Sequence, residues 1–296
     1  MSAAQGRLSG ALFILASATA FGVMPIFARY AYAAGADTSA MLLLRFGIAG
    51  LLMAAVMAGR GASWPRGRIL LGLVLMGGIG YAGQSFAYFS ALRYASAGLV
   101  ALLLYAYPLL VALWAMLFLK ERLTRGKIMA LLVATVGLVL TIGPAVNGRP
   151  IGVVLGLSAA LIYSVYIVAG SRITPYAGAL GASTVVMLAA ALTFAAGAAL
   201  GNPHWPATLA GWAAVAAIAL ISTVLAILAF FAGLNRLGAS EASMLSTFEP
   251  VVSVVSAAWL LDESMSASQW LGGGLILAAA LLLAATGKPA SPAPKS

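Results

Sequence analysis

Cysteine is absent from the 296 residues, which removes disulfides, thiolate metal sites and thiol nucleophiles together. Histidine occurs once, at His204, and cannot form a metal cluster alone. Charge is scarce too: six acidic residues and 7% charged residues in total, against about a quarter in an ordinary soluble domain. With 63% hydrophobic residues, this excludes a water-soluble fold. The net charge of +10 does not indicate nucleic acid, because the Lys and Arg residues lie in short breaks between apolar runs. Catalytic motifs are missing as well. Neither Gly126-Lys127 nor Gly287-Lys288 has the first glycine of a phosphate-cradling loop, and there is no Gly-x-Ser-x-Gly elbow. Asp37 and Asp262 are not deep in an apolar run, so an aspartyl mechanism has no support either. No enzyme activity, metal or cofactor is expected.

What is there is apolar sequence almost end to end. Crossing a hydrocarbon core of roughly 30 Å takes ~20 apolar residues, and the runs fall at 8–31, 38–58, 69–91, 96–119, 127–143, 151–170, 178–200, 209–233, 239–261 and 267–286. The first is too long for a signal-peptide core, although Ala31-Tyr32-Ala33 resembles a cleavage site, so it is kept as a span. The tail 288–296 is Lys, Pro, Ala and Ser, a composition that predicts disorder. With the N-terminus inside, twelve Lys and Arg residues fall in inner segments and only Arg29, Arg93 and Arg149 in outer ones. That asymmetry predicts cytoplasmic termini. Trp64, Trp205, Trp212 and Trp270 fall near span ends, as interface anchors do.

The chain also repeats itself. At an offset of 142 residues Pro108 falls on Pro250 and Lys120-Glu121 on Asp262-Glu263, so proline and glutamate are 13 residues apart in both halves. The same offset places Tyr88-Phe89 on Phe230-Phe231. Each half holds an odd number of spans, so the second copy lies upside down relative to the first. Loop charge agrees: Lys120 to Lys127 is basic, whereas its counterpart Asp262 to Ser268 carries no basic residue. The expected fold is an all-α membrane protein of ten transmembrane helices in two inverted five-helix repeats, 1–146 and 147–287.

Ala91-Leu92-Arg93-Tyr94-Ala95-Ser96-Ala97, continuing through Tyr107-Pro108 to Lys120-Glu121-Arg122-Leu123, resembles the repeat core of EamA-type members of the drug/metabolite transporter superfamily. Ser246-Thr247-Phe248-Glu249-Pro250-Val251 through Asp262-Glu263-Ser264 resembles it again, and Arg45-Phe46 is similar to the first repeat. The resemblance implies a ten-helix carrier in a bacterial inner membrane working by alternating access. It implies a central cavity lined by the first, third, fourth, sixth, eighth and ninth helices. It does not imply a substrate, since members are associated with amino acids, other metabolites, nucleotide sugars or cationic drugs; a small metabolite, amino-acid-like or amphipathic, is the expected cargo, efflux the implied direction and a proton the candidate coupling ion. Phe21 stands where the family often has tryptophan, which puts in doubt any preference tied to that aromatic. A passive channel or a non-transporting scaffold is the alternative.

Ionisable groups deep in a membrane are expensive and usually face protein or water. Arg45 and Glu249 are the two candidates found deep in the spans, with an axial gap of about 5 Å at 1.5 Å per residue, close enough to pair if their helices are neighbours. Two readings of the pair stand: substrate contact with titration at Glu249, or a structural ion pair fixing helix register. Tyr81, Gln84 and Tyr88 share one face of the third helix at helical spacing, and Ser246 shares a face with Glu249 on the ninth. Together with Phe21, Tyr105, Tyr163, Tyr166 and Thr223 they are the expected solute-binding residues, interhelical hydrogen bonding being the other use of the hydroxyls. Pro108 and Pro250 are the expected hinges, because each removes a backbone hydrogen bond near the middle of equivalent helices.

Overall fold

The structure is a computed structural model, and it describes residues 3–286 apart from 92, 96, 122, 143–147 and 261–265. The tail and the Asp262-Glu263 pair lie outside the described residues. All regular structure among those residues is helical: α1 (Ala3–Gly22), α2 (Met24–Ala33), α3 (Thr38–Gly59), α4 (Gly67–Leu75), α5 (Ala82–Ala91), α6 (Ala97–Leu104), α7 (Tyr107–Leu119) and α8 (Arg125–Ile142). There follow α9 (Pro150–Ala199), α10 (Leu209–Ala219), α11 (Ala226–Leu237), α12 (Ala239–Ser246), α13 (Glu249–Leu260) and α14 (Ala267–Thr286). Eight apolar helical runs are long enough to cross a membrane, and a shorter one covers Ala267–Leu283.

One of the eight counts twice. As a straight rod the 50 residues of α9 would measure about 75 Å, far beyond a ~30 Å core. Gly178, at φ 65 and ψ 163, breaks it. Reversal of the chain there follows from packing on the third span: Met76 lies against Gly170, while its neighbour Gly77 lies against Val186. Residues 170 and 186 would be about 24 Å apart in a continuous helix, so the two arms must run antiparallel on either side. The ten expected spans are therefore present, with the sixth and seventh joined by a glycine hairpin.

Close approach elsewhere also depends on missing side chains. Gly137 on α8 and Gly272 on α14 meet backbone to backbone, so a Cβ on Gly137 would stand 2.7 Å from the Gly272 carbonyl oxygen. In the loop before α3, Asp37 caps that helix by accepting the Ala40 amide at 2.8 Å and also accepts the His204 amide at 2.9 Å. Partial burial opposes the charge, but these bonds outweigh it and hold the Asp37 carboxyl below its ordinary value.

A backbone with φ near +65° and ψ near 163° is accessible essentially only to glycine, at a cost of ~1–3 kcal/mol for other residues. Gly178→Ala is expected to lower the thermal midpoint in detergent, followed by size-exclusion chromatography after heating. Gly197→Ala, where an added Cβ meets nothing within 4 Å, is the matched control and is expected to leave the midpoint unchanged.

Candidate functional site: a mid-span chamber

Five spans are interrupted partway, and the interruptions converge. The first breaks at Val23 between α1 and α2, with Pro25 starting the new helix. The fourth breaks at Tyr105-Ala106 between α6 and α7, and the ninth at Thr247-Phe248 between α12 and α13. Pro108 and Pro250 are each the second residue of the helix that follows, where a missing N–H loses no intrahelical bond. The third and eighth spans carry wide π-helical turns at Met76–Tyr81 and Leu220–Leu225. Such turns tilt side chains off the regular helical register and recur at functional positions.

Four of these interruptions border a cavity of about 520 Å³, within the range of small-molecule sites, and the π-helical turn of the eighth span stands one layer behind it, against Arg45. Of the eleven expected solute-binding residues, eight line it: Phe21, Arg45, Tyr81, Gln84, Tyr88, Tyr105, Tyr163 and Glu249. Pro250 lines it as well, while Pro108 is buried at its own break and does not. Tyr166, Thr223 and Ser246 stand behind the wall instead. Tyr166 stacks on Tyr81 and Tyr163 at ring-centroid distances of 5.4 and 5.9 Å. The Thr223 hydroxyl accepts from Arg45 Nε and donates to the Ile218 carbonyl, and the Ser246 hydroxyl donates to the Ala242 carbonyl. Helical spacing identified the right faces in these cases but could not tell front from back. The helices that line the chamber also differ from those implied by the resemblance: the second contributes Arg45, the fifth and tenth contribute Thr141, Ile142 and Gln269, and the eighth does not line the cavity.

Arg45 and Glu249 share the chamber but are not ion-paired. Arg45 is 3% exposed; its Nε donates to Thr223 at 2.8 Å and its Nη2 to the Tyr81 hydroxyl at 3.2 Å and the Ser222 carbonyl at 3.3 Å. The guanidinium also sits 4.8 Å from the centroid of the Phe46 ring. Tyr81 and Thr223 are repeat-equivalent at the offset of 142, so one guanidinium is held by matching positions of both halves. Nη1 has no hydrogen-bond partner among the described residues. Glu249, at the first turn of α13, faces Tyr105 across the two helix breaks in the same cavity. Gly22 makes that position possible: a Cβ there would stand 2.8 Å from the Glu249 carbonyl oxygen and 2.6 Å from Val252 Cβ. The Ser253 hydroxyl ties α13 to the same turn by donating to the Gly22 carbonyl at 2.9 Å. A chain of rings, Phe46, Tyr81, Tyr166, Tyr163 and Tyr107, backs one side of the chamber with centroid distances of 4.8 to 5.9 Å.

Sequence reasoning missed two buried charges, Glu241 and Lys127. Glu241, 3% exposed in the first turn of α12, lies 3.3 Å from Arg7 Nε and 3.2 Å from Lys127 Nζ. Lys127 Nζ also lies 2.8 Å from Glu121, which in turn accepts from the Ser240 hydroxyl at 2.8 Å. Arg7 Nη2 completes the cluster by donating to the Leu283 carbonyl at 2.6 Å. Arg7, Glu121 and Lys127 come from the first half of the chain, Ser240, Glu241 and Leu283 from the second. The available signal was two acids, Glu121 and Glu241, at the ends of apolar runs with basic residues nearby. Lys127 and the chamber residues Thr141 and Ile142 sit at opposite ends of α8, about 21 Å apart. The chamber thus extends toward one end of the bundle, and charged side chains tie the halves together at the other.

A family model described as the EamA-like transporter family matches the chain twice, over residues 8–143 and 150–285. Among solved structures, 29 chains match. One of them, titled only as a crystal structure of protein, is 25% identical, covers 95% of this chain and 97% of its own, and superposes with a TM-score of 0.82. No match is found among curated proteins. Both halves of this all-helical membrane chain carry the same family signature, and the chain belongs to the EamA-like transporter family.

Proposed function

We propose that the chain is a secondary transporter that moves a small amphipathic, amino-acid-like solute out of the cell by alternating access. The observation that carries this reading is the chamber itself, with an unpartnered Nη1 edge on Arg45 and a carboxylate on Glu249 in one aromatic-lined space. A zwitterion supplies what each lacks: its carboxylate accepts from Nη1, and its ammonium donates to Glu249. The solute's apolar part then meets Phe21, Tyr88, Tyr105 and Tyr163. Two opposite charges on one mid-span cavity, Arg45 buried and Glu249 partly buried, that are not neutralised by each other call for a ligand of matching charge, because an unpaired charge in a low-dielectric site is costly.

Glu249 also serves as the proton carrier, exchanging the solute's ammonium for a proton on each cycle. Alternating access uses the breaks at Pro108 and Pro250 as hinges, one inside each of the repeat units 1–146 and 147–287. The cluster around Glu241 is the closed gate on the cytoplasmic side. Export as the direction, a bacterial inner membrane and cytoplasmic termini rest on likeness to the family and on the distribution of Lys and Arg.

Counterflow in proteoliposomes tests the carrier reading. Saturable exchange of a labelled apolar amino acid is expected; flux that never saturates would mean a channel, and no flux for any solute a scaffold. Arg45→Lys loses the planar fork, and uptake at low solute concentration is expected to fall about 10- to 100-fold, the range for a lost hydrogen bond to a charged group. Glu249→Gln is expected to abolish proton-driven accumulation and flatten the pH dependence of uptake between pH 5 and 8; an unchanged profile rejects the proton role. For the gate, a single cysteine can be read directly because the chain has none of its own. Ser243→Cys, buried beside the cluster, is expected to react faster with a membrane-impermeant maleimide from the cytoplasmic side once Glu241→Gln is added. Equal rates would exclude a gate there.

A further inference from the structure

A second space, larger than the chamber, opens on the outside of the bundle between the second, third and seventh spans. It measures about 650 Å³. Its floor is made of small residues, Gly78, Ala82, Gly83, Gly197 and Ala198, and its flank of Ile79 and Phe86, which are 68% and 67% exposed. One end carries Thr38, Ser39, Ser90 and Arg93. The Thr38 hydroxyl lies 3.4 Å from that of Tyr32. The exposed Arg93 side chain has no hydrogen-bond or ion-pair partner among the described residues. A trough that is apolar along its length and cationic at one end matches an amphiphile with an anionic head.

We infer that this groove binds a membrane glycerophospholipid, with one acyl chain in the small-residue trough and the phosphate at Arg93. Length supports the choice of occupant. From Gly78 to Arg93 the third span rises about 22 Å, and half a bilayer including its headgroup region is ~20–22 Å. The groove is therefore one leaflet deep, with its charge at headgroup level and its closed end near the midplane. The hydroxyls of Ser39 and Ser90 add donors beside the guanidinium, as a phosphate with several acceptor oxygens requires. Phe89 lines this groove and the chamber alike, so the bound chain packs against a residue of the chamber wall.

The test uses the full chain in nanodiscs and two photoactivatable probes with the same diazirine-bearing tail, phosphatidylglycerol and diacylglycerol, with labelled positions mapped by mass spectrometry. Labelling by the phospholipid is expected to concentrate on residues 79–89 and 193–198, above the level at Leu132 and Leu281, which are lipid-exposed elsewhere on the bundle. The phospholipid is expected to label about fivefold better than diacylglycerol, the ratio typical of one basic residue at the headgroup level. Arg93→Gln should erase that advantage while leaving diacylglycerol labelling in place. Gly197→Phe, at a position open to added atoms, should bring groove labelling by both probes down to the level at Leu132. Even labelling over the whole lipid-facing surface would overturn the site, as would a phospholipid advantage that survives Arg93→Gln or groove labelling that survives Gly197→Phe.

Discussion

Inside hydrocarbon an unpaired backbone N–H or carbonyl costs several kcal/mol, so a helix can be interrupted only where protein or water takes over its hydrogen bonds. That constraint organises the molecule. Interruptions at Val23, Tyr105-Ala106 and Thr247-Phe248 and the π-helical turns at Met76–Tyr81 and Leu220–Leu225 would each be penalised against lipid. Gathered around one cavity, they meet each other instead. The Ser222 carbonyl in the second π-helical turn accepts from Arg45, and the Gly22 carbonyl at the first break accepts from Ser253. The price of irregular backbone is thus offset within the chamber, and the same irregularity aims Arg45, Tyr105 and Glu249 at a shared space.

The two deep charges take different kinds of support. Arg45 is fixed from three directions and stacked on Phe46, which leaves one edge of the guanidinium committed to a single orientation. Glu249 has a lighter hold, facing Tyr105 across a helix break, and the helix it starts is the one that a hinge at Pro250 would move. A rigid cation opposite a movable anion suits binding in which one end of the solute is located first and the other follows.

Much of this was legible in the sequence, for identifiable reasons. Spans are visible because lipid enforces long apolar runs, and the breaks at Pro108 and Pro250 are visible because proline cannot sit mid-helix without one. Deep charge stands out for the same reason, and Arg45 and Glu249 do share one cavity. Of the two readings left open for them, the structural ion pair is not formed, because helical rise gives depth but not azimuth: the structure turns Arg45 toward Thr223 and Tyr81. Tyr166 and Ser246 were misplaced by one layer on the same ground. Glu241 escaped notice because its partners, Arg7 and Lys127, are more than 100 residues away in the chain, and nothing local marks an acid at a span end as buried. The π-helical turns carry no sequence signal of their own, and Gly22 reads as one glycine among 33 until its neighbours are known.

The contact of Gly137 with Gly272 bears on how such a molecule can change shape. It welds the last helix of one half to the last helix of the other, backbone against backbone, with no side chain between them to re-pack. Helices α8 and α14 therefore travel as one strut whichever way the bundle tips. A carrier that moved with that contact intact would not slide its two ancestral units past one another; its fault line would run across the duplication rather than along it.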